Sequence, residues 1–234
     1  MTEPVLEIAG LNGHYGESHV LHGLDLAVGA GEVATIVGRN GAGKTTTLRA
    51  VMGILGKRAG SIRVMGVETI AFPPERVARL GVGYVPEERG IFASLNVTEN
   101  LFLPPTLAEG GMSADEIYQL FPNLKERGRS QGSKLSGGEQ QMLAIARVLR
   151  TGARFLILDE PTEGLAPVLV QQVGRVLEAI RARGLTVLLV EQNFRFAARI
   201  SDHHYVMESG KIIDRIARAE VAAKMGRLEA YLGL

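Results

Sequence analysis

Eight consecutive residues, Gly38-Arg39-Asn40-Gly41-Ala42-Gly43-Lys44-Thr45, fit the spacing G-x-x-x-x-G-K-[ST], and Thr46 follows them. Glycines at 38, 41 and 43 let the backbone turn tightly enough for successive N–H groups to converge on phosphate oxygens. An apolar, β-branched run from Glu32 to Val37 precedes the loop, and Leu48, Val51, Met52 and Leu55 recur after it at helical spacing. Strand, loop and helix thus come in the order that aims a helix N-terminus at an anion. In that setting Lys44 reaches the β- and γ-phosphates of a nucleotide, and the Thr45 hydroxyl is placed to ligate Mg2+. The competing reading is a glycine-rich turn with a solvated lysine. Average residue frequencies give this spacing by chance in about one chain in a hundred of this length, and the strand–helix context makes chance rarer still.

A second pattern is Phe155-Leu156-Ile157-Leu158-Asp159-Glu160, an apolar run that ends in two carboxylates. Any strand-to-loop boundary can look like this. Beside a phosphate loop, however, the first acid is placed to hold Mg2+ and the second to orient or polarise an attacking water. The expectation is ATP hydrolysis with Mg2+, Asp159 on the metal side and Glu160 as the catalytic carboxylate.

The third pattern is Leu135-Ser136-Gly137-Gly138-Glu139-Gln140-Gln141 at the start of a helical run. Ser136 and Glu139 have the form of a capping box, and Ser136 with the N–H groups of Gly137 and Gly138 also makes an anion site at a helix N-terminus. With the two earlier motifs, this stretch resembles the signature of ABC-type ATPases, and the resemblance covers nearly the whole chain. It implies a head-to-tail pair of ATPase subunits, in which Ser136, Gly137, Gly138 and Glu139 of one close over the γ-phosphate held by Gly38 to Thr46 of the other. It also implies that Tyr15 stacks on adenine, with Val20 against the sugar.

Three positions depart from the usual family pattern. Glu87 follows Tyr84-Val85-Pro86 where a Gln is usual, Gln192 stands in Val190-Glu191-Gln192-Asn193 where a His is usual, and Ala166 replaces an Asp. Glu87 keeps an oxygen ligand for Mg2+ and adds negative charge; Gln192 keeps an N–H donor to the γ-phosphate but has no protonated form. Hydrolysis is therefore expected to depend less on a titrating group near neutral pH than in relatives with His. The three together are similar to the ATPase subunits of branched-chain amino acid importers, while close relatives of those serve urea or short amides. The resemblance implies two transmembrane permeases, a second ATPase subunit that is a sister chain or a copy, and indirectly an extracytoplasmic solute-binding protein. It implies a peripheral position on the cytoplasmic face of the inner membrane.

The elements that must position these residues read as one α/β domain over residues 1–234. Phe155 to Leu158 and Thr186 to Val190 are continuous apolar runs, the mark of parallel strands buried on both faces. Val5 to Ile8 and Leu21 to Val28 read as short alternating strands across a Gly-rich loop, part of an antiparallel N-terminal β subdomain. Residues at about 88–135 read as an inserted helical subdomain. Helices are expected at Gly138 to Arg150, Val168 to Arg183 and Phe194 to Ile200. From Tyr205 to Leu234 the pattern suggests a hairpin turning at Glu208 to Lys211, then two short helices.

Composition limits the alternatives. Across 234 residues, 46% are hydrophobic and 22% charged, which is globular and not disordered. A net charge of +1 gives no field for nucleic acid, and ABC ATPases of ribosomes or DNA usually join two such domains or carry a long coiled coil. The absence of cysteine excludes disulfides and thiolate chemistry. Runs such as Val187 to Val190 are far short of the roughly 20 residues that cross a bilayer, and acids stand near the amino terminus where a leader would carry bases. His203-His204 is expected to be a strand-edge pair, its rings on opposite faces and unable to chelate one ion. Phe92, Phe102 and Phe121 read as packing residues of the insertion, while the resemblance implies a contact of the insertion with the membrane subunit in which some of them line a docking groove.

Overall fold

A computed structural model describes residues 3–232. Met1 and Thr2, within the segment read against a leader, and Gly233 and Leu234, the end of the last stretch, lie outside the described residues. The chain opens with a hairpin of β1 (Leu6–Tyr15) and β2 (Ser18–Val28). Strand β3 (Val33–Val37) then runs into the phosphate loop and α1 (Lys44–Val51). An excursion through β4 (Lys57–Val64), β5 (Val67–Glu68) and α2 (Pro74–Ala78) leads to β6 (Val82–Val85). The insertion contains α3 (Val97–Phe102), α4 (Ala114–Leu120) and α5 (Pro122–Glu126), and α6 (Gly137–Leu149) leaves it. Strands and helices then alternate as β7 (Phe155–Asp159), α7 (Pro167–Ala182), β8 (Thr186–Glu191), α8 (Phe194–Ile200) and β9 (His203–Glu208). Strand β10 (Lys211–Ala217) turns back, and a 3-10 turn leads into α9 (Val221–Leu232).

Six strands form the central sheet in the order β10-β9-β3-β8-β7-β6, with β10 as an antiparallel edge and the other five parallel. The apolar runs are explained by burial on both sides. Phe155 and Ile157 of β7 pack toward the second sheet, while Leu156 and Leu158 pack toward α6 and α7. Because β3, β7 and β8 are parallel neighbours, their carboxyl ends lie together. That edge holds Gly38, Asp159-Glu160 and Glu191-Gln192, the side of an open α/β sheet where ligands bind.

The expected antiparallel subdomain is a four-stranded sheet in the order β2-β1-β4-β5, but its strands differ from the sequence reading. β1 does not stop at Ile8; it continues to Tyr15, and the expected Gly-rich loop is strand. Register shifts at Ile8/Leu11, Leu11/Gly13 and Gly13/His14, with Gly10 at φ +58°, break the alternation that would reveal it. β4 buries only Ile62 and Val64, so its pattern lacks an apolar run, yet it pairs with β1 from Leu6↔Val64 to His14↔Lys57. His203 and His204 are not at a sheet edge: β9 lies between β10 and β3, and both side chains are buried. The His204 ring meets Phe194 edge-on at 5.2 Å, and His203 meets Tyr205 at 5.1 Å.

The helical insertion is packed onto α6 and shares its core. Val97, Leu101, Ile117, Phe121 and Leu124 are buried with Met142, Leu143 and Ile145. Phe121 is therefore core, whereas Phe92 and Phe102 are about half exposed.

Candidate phosphate-binding site

Strand β3 stops at Val37 and the chain turns at Gly38, where a Cβ would lie 2.3 Å from the Met207 carbonyl oxygen. Gly41 and Gly43 adopt φ of +77° and +107°, the left-handed region where glycine is favoured. Gly43 is the N-cap of α1 and no side chain caps that helix. Helices α3, α4 and α6 all begin with full capping boxes. The first N–H groups of α1 lack intrahelical acceptors, so this N-terminus is open to an anion.

Lys44 is buried, and its Nζ donates to Gly38 O at 3.0 Å and Arg39 O at 3.3 Å. It also pairs with Glu160 Oε1 at 3.2 Å. Thr45 Oγ1 donates to Asp159 Oδ1 at 3.0 Å, and the Tyr84 hydroxyl approaches Asp159 Oδ2 at 3.4 Å. Burial lifts the Asp159 carboxyl to about 6; the Thr45 bond opposes this, and the charges of Glu160 and Glu87 add to it. Glu160 has φ +45°, uncommon for a side-chain-bearing residue, and its N–H is held by Val190 O at 2.9 Å.

A cleft of about 390 Å³ brings together Val20, Asn40, Gly41, Gly43, Lys44, Thr45, Thr46, Glu87 and Glu160, and adds Glu163. The Glu163 carboxyl is held above its ordinary value by a hydrogen bond shared with Glu160, by burial and by the Glu160 charge. The donor set fits a hard divalent cation: Thr45 and Asp159 supply oxygens in contact, Glu87 lines the same space, and crowded carboxylates outnumber the one lysine. The open helix N-terminus and Lys44 fit a polyphosphate.

Other expected residues lie around this cleft and not in it. Tyr15 is at the β1–β2 turn, 44% exposed, its hydroxyl accepting from Arg49 at 3.4 Å. Arg39 and Ala42 line a smaller recess with Ser209 and Tyr231, and Gly38 lies beneath the loop. Gln192 is exposed in an adjoining cleft of about 780 Å³ that shares Glu160 and Glu163 with the first. Ser136, Gly137, Gly138 and Glu139 line neither cleft of their own chain. Ser136 is exposed; its Oγ accepts from Glu139 N at 3.3 Å, and Ser136 N donates to Glu139 Oε2 at 2.7 Å.

Glu191, Thr162, Glu163 and Tyr84 were not singled out from the sequence. Glu191 carried a signal: like Asp159 it is an acid that ends an apolar strand. What no sequence pattern shows is its burial, to 2% exposure.

The family description "ABC transporter" matches residues 21–163. The chain is 40% identical to the high-affinity branched-chain amino acid transport ATP-binding protein BraG of Pseudomonas aeruginosa, covering 94% of this chain and 96% of that one. It is 35% identical to the probable branched-chain amino acid transport ATP-binding protein LivF of Archaeoglobus fulgidus, over 89% and 90% of the two. It is 32% identical to the lipopolysaccharide export system ATP-binding protein LptB of Escherichia coli K12, over 94% and 93%. A crystal structure of a nucleotide-free ATP-binding cassette from an ABC transporter superposes with a TM-score of 0.84 at 22% identity, covering 99% of each chain, which establishes the shared fold.

Proposed function

The chain belongs to the ABC transporter family as an ATP-hydrolysing cassette, and we propose that it powers a membrane importer whose solutes are branched-chain amino acids. The similarity to BraG along nearly the whole chain carries this reading. Glu87, Ala166 and Gln192, the three departures from the usual family pattern, point the same way.

In this reading ATP enters the cleft with its phosphates on the open N-terminus of α1, while Tyr15 stacks on the base and Val20 lies against the sugar. Lys44 exchanges its Glu160 partner for the β- and γ-phosphate oxygens. Thr45, Asp159 and Glu87 would hold Mg2+, which when bound would supply positive charge against the phosphate oxygens. Glu160, released from Lys44, accepts a hydrogen bond from the attacking water and draws off its proton as the oxygen meets phosphorus. The bond to the bridging oxygen breaks, leaving ADP and phosphate. Gln192 donates its side-chain N–H to the γ-phosphate.

A second ATPase subunit, sister or copy, supplies its own Ser136-to-Glu139 segment over the γ-phosphate. That role suits a capped helix start with Ser136 exposed, which lines neither of the two clefts described. Two permeases complete the transporter, with this subunit peripheral on the cytoplasmic face and a solute-binding protein acting across the membrane. Among the described residues no helix is long and apolar enough to cross a membrane. For the permease contact we propose the groove of about 520 Å³ that includes Tyr84, Phe92, Leu103, Pro104 and Leu107. Arg147 fixes its rim by donating to Gly90 O at 2.7 Å and Arg89 O at 2.9 Å.

The similarity to LptB supports a second reading, export, with the same ATP chemistry. One experiment separates them. Vesicles reconstituted with this chain, its co-purifying permeases and second ATPase subunit, with ATP enclosed and the solute-binding protein outside, are expected to take up labelled leucine in preference to urea or short amides. Failure to accumulate leucine, or ATP-driven movement in the outward direction, would reject the import reading.

A further inference from the structure

Two neighbouring parallel strands end in buried acids, Asp159 on β7 and Glu191 on β8. Asp159 has a place in the phosphate site; Glu191 has none so far. Its Oε1 accepts from Thr162 Oγ1 at 2.7 Å and Thr162 N at 3.3 Å, and its Oε2 accepts from Asn193 N at 3.3 Å. Among the described residues no cation pairs with it. Thr162 stands two residues beyond Glu160, on the loop where Glu160 has its positive φ. The same loop is tied to β8 a second time, through Glu160 N and Val190 O at 2.9 Å. Both ties therefore end on the last two residues of β8, and Gln192 follows immediately.

We propose that Glu191 is a positioning residue for hydrolysis: through Thr162 its carboxylate fixes the loop that carries Glu160 to the segment that carries Gln192, so the two sides of the cleft move as one. The proposal rests on Glu160 being the catalytic carboxylate. A buried acid held by three donors and no cation gives up hydration for geometry. Burial lifts its carboxyl to about 7, opposed by the Thr162 and Asn193 bonds and reinforced by the Glu160 charge. The charged groups around it are Glu160 and Glu163 on the loop, Asp159 at the end of β7, Lys44 through its pair with Glu160, and Arg195 on α8. The ionised form accepts all three bonds at full charge; protonation turns one oxygen into a hydroxyl, a weaker acceptor, and so loosens the tie.

The test is steady-state ATP turnover by the purified full chain with Mg2+, comparing Glu191→Ala, Glu191→Gln, Thr162→Val and the double variant Glu191→Ala/Thr162→Val, with Glu160→Gln as reference. Glu191→Ala and Thr162→Val should each lower kcat about tenfold while KM for ATP stays within about twofold, the mark of lost alignment without lost binding. The double variant should be no slower than Glu191→Ala, because both remove one tie. In the wild type kcat should rise through about pH 7, and Glu191→Gln should lack that rise. Full kcat in Glu191→Ala, multiplicative losses in the double variant, or an unchanged pH rise in Glu191→Gln would each overturn the proposal. The near-isosteric Thr162→Val keeps the test valid if Glu191→Ala does not fold. If Glu160→Gln keeps its turnover, the catalytic assignment itself fails; if Glu160→Gln is inactive and the Glu191 and Thr162 variants are not, only this inference fails.

Discussion

Asp159 and Glu191 show how one physical effect acts on a pair of side chains. Each ends a strand with no exposed residue, and each carboxyl is lifted by burial, to about 6 and about 7 from ordinary values of 3.8 and 4.5. A carboxyl raised in the folded state contributes stability that is complete below its unfolded value and is lost as pH rises through the folded one. Buried His204, lowered to about 4 by burial, slopes the opposite way between about pH 4 and 6.5, so a single melting curve mixes the two. The difference between Glu191→Gln and the wild type, both free of nucleotide and Mg2+, isolates one group. The variant should gain relative stability as pH rises from about 4.5 to about 7 and level off above, by on the order of 3 kcal/mol. Denaturant unfolding at several pH values checks this; a pH-independent difference would mean Glu191 is not raised. A titrating group one residue before Gln192 also changes the expectation drawn from that Gln. Losing a histidine at 192 does not by itself leave the site without a neutral-pH titration.

At the scale of elements, α1 and α6 use the same end of a helix in two ways. α1 begins at an uncapped glycine and is open; α6 begins with an exposed Ser136 and half-buried Glu139 satisfying each other. A cap alone makes Ser136→Ala a stability variant, costing about 1 kcal/mol, or a few degrees in melting temperature. If Ser136 also meets the γ-phosphate of a second subunit, the same change should lower ATP turnover at least tenfold at temperatures where the protein is fully folded. Unchanged turnover beside a lowered melting temperature would leave Ser136 as a cap only. The contrast also shows what was legible in the sequence. β3, β7 and β8 could be read because strands buried on both faces keep continuous apolar runs, and the phosphate loop because its glycines and lysine are set by local geometry. β4 and the far half of β1 could not, since one is half-exposed and polar and the other is broken by bulges. Glu191 was hidden for a different reason: an acid at a strand end reads as a boundary, and the bonds from Thr162 and Asn193 that hold its buried carboxylate depend on the folded loop.

Over the whole molecule, the cleft and the apolar groove are joined through short connections. Strand β6 and Tyr84 reach both, since the Tyr84 hydroxyl approaches Asp159 and the same residue lines the groove. Phe92 is held by its backbone, donating to Asn100 Oδ1 at 2.9 Å and accepting from Asn100 Nδ2 at 3.0 Å, while the residue is 51% exposed. Replacing its ring with a carboxylate therefore spares the core. Phe92→Asp should leave basal ATP turnover of the isolated chain within about twofold and reduce co-purification of the permeases at least tenfold. Equal recovery of permeases would move the docking surface elsewhere. The central claim remains that this chain hydrolyses ATP with Glu160 at the reacting water. It is tested most directly by turnover and nucleotide retention in Glu160→Gln at saturating ATP with Mg2+. The account predicts ATP bound at least as well as by wild type, with turnover reduced about a hundredfold or more. Near wild-type turnover in that variant would contradict it.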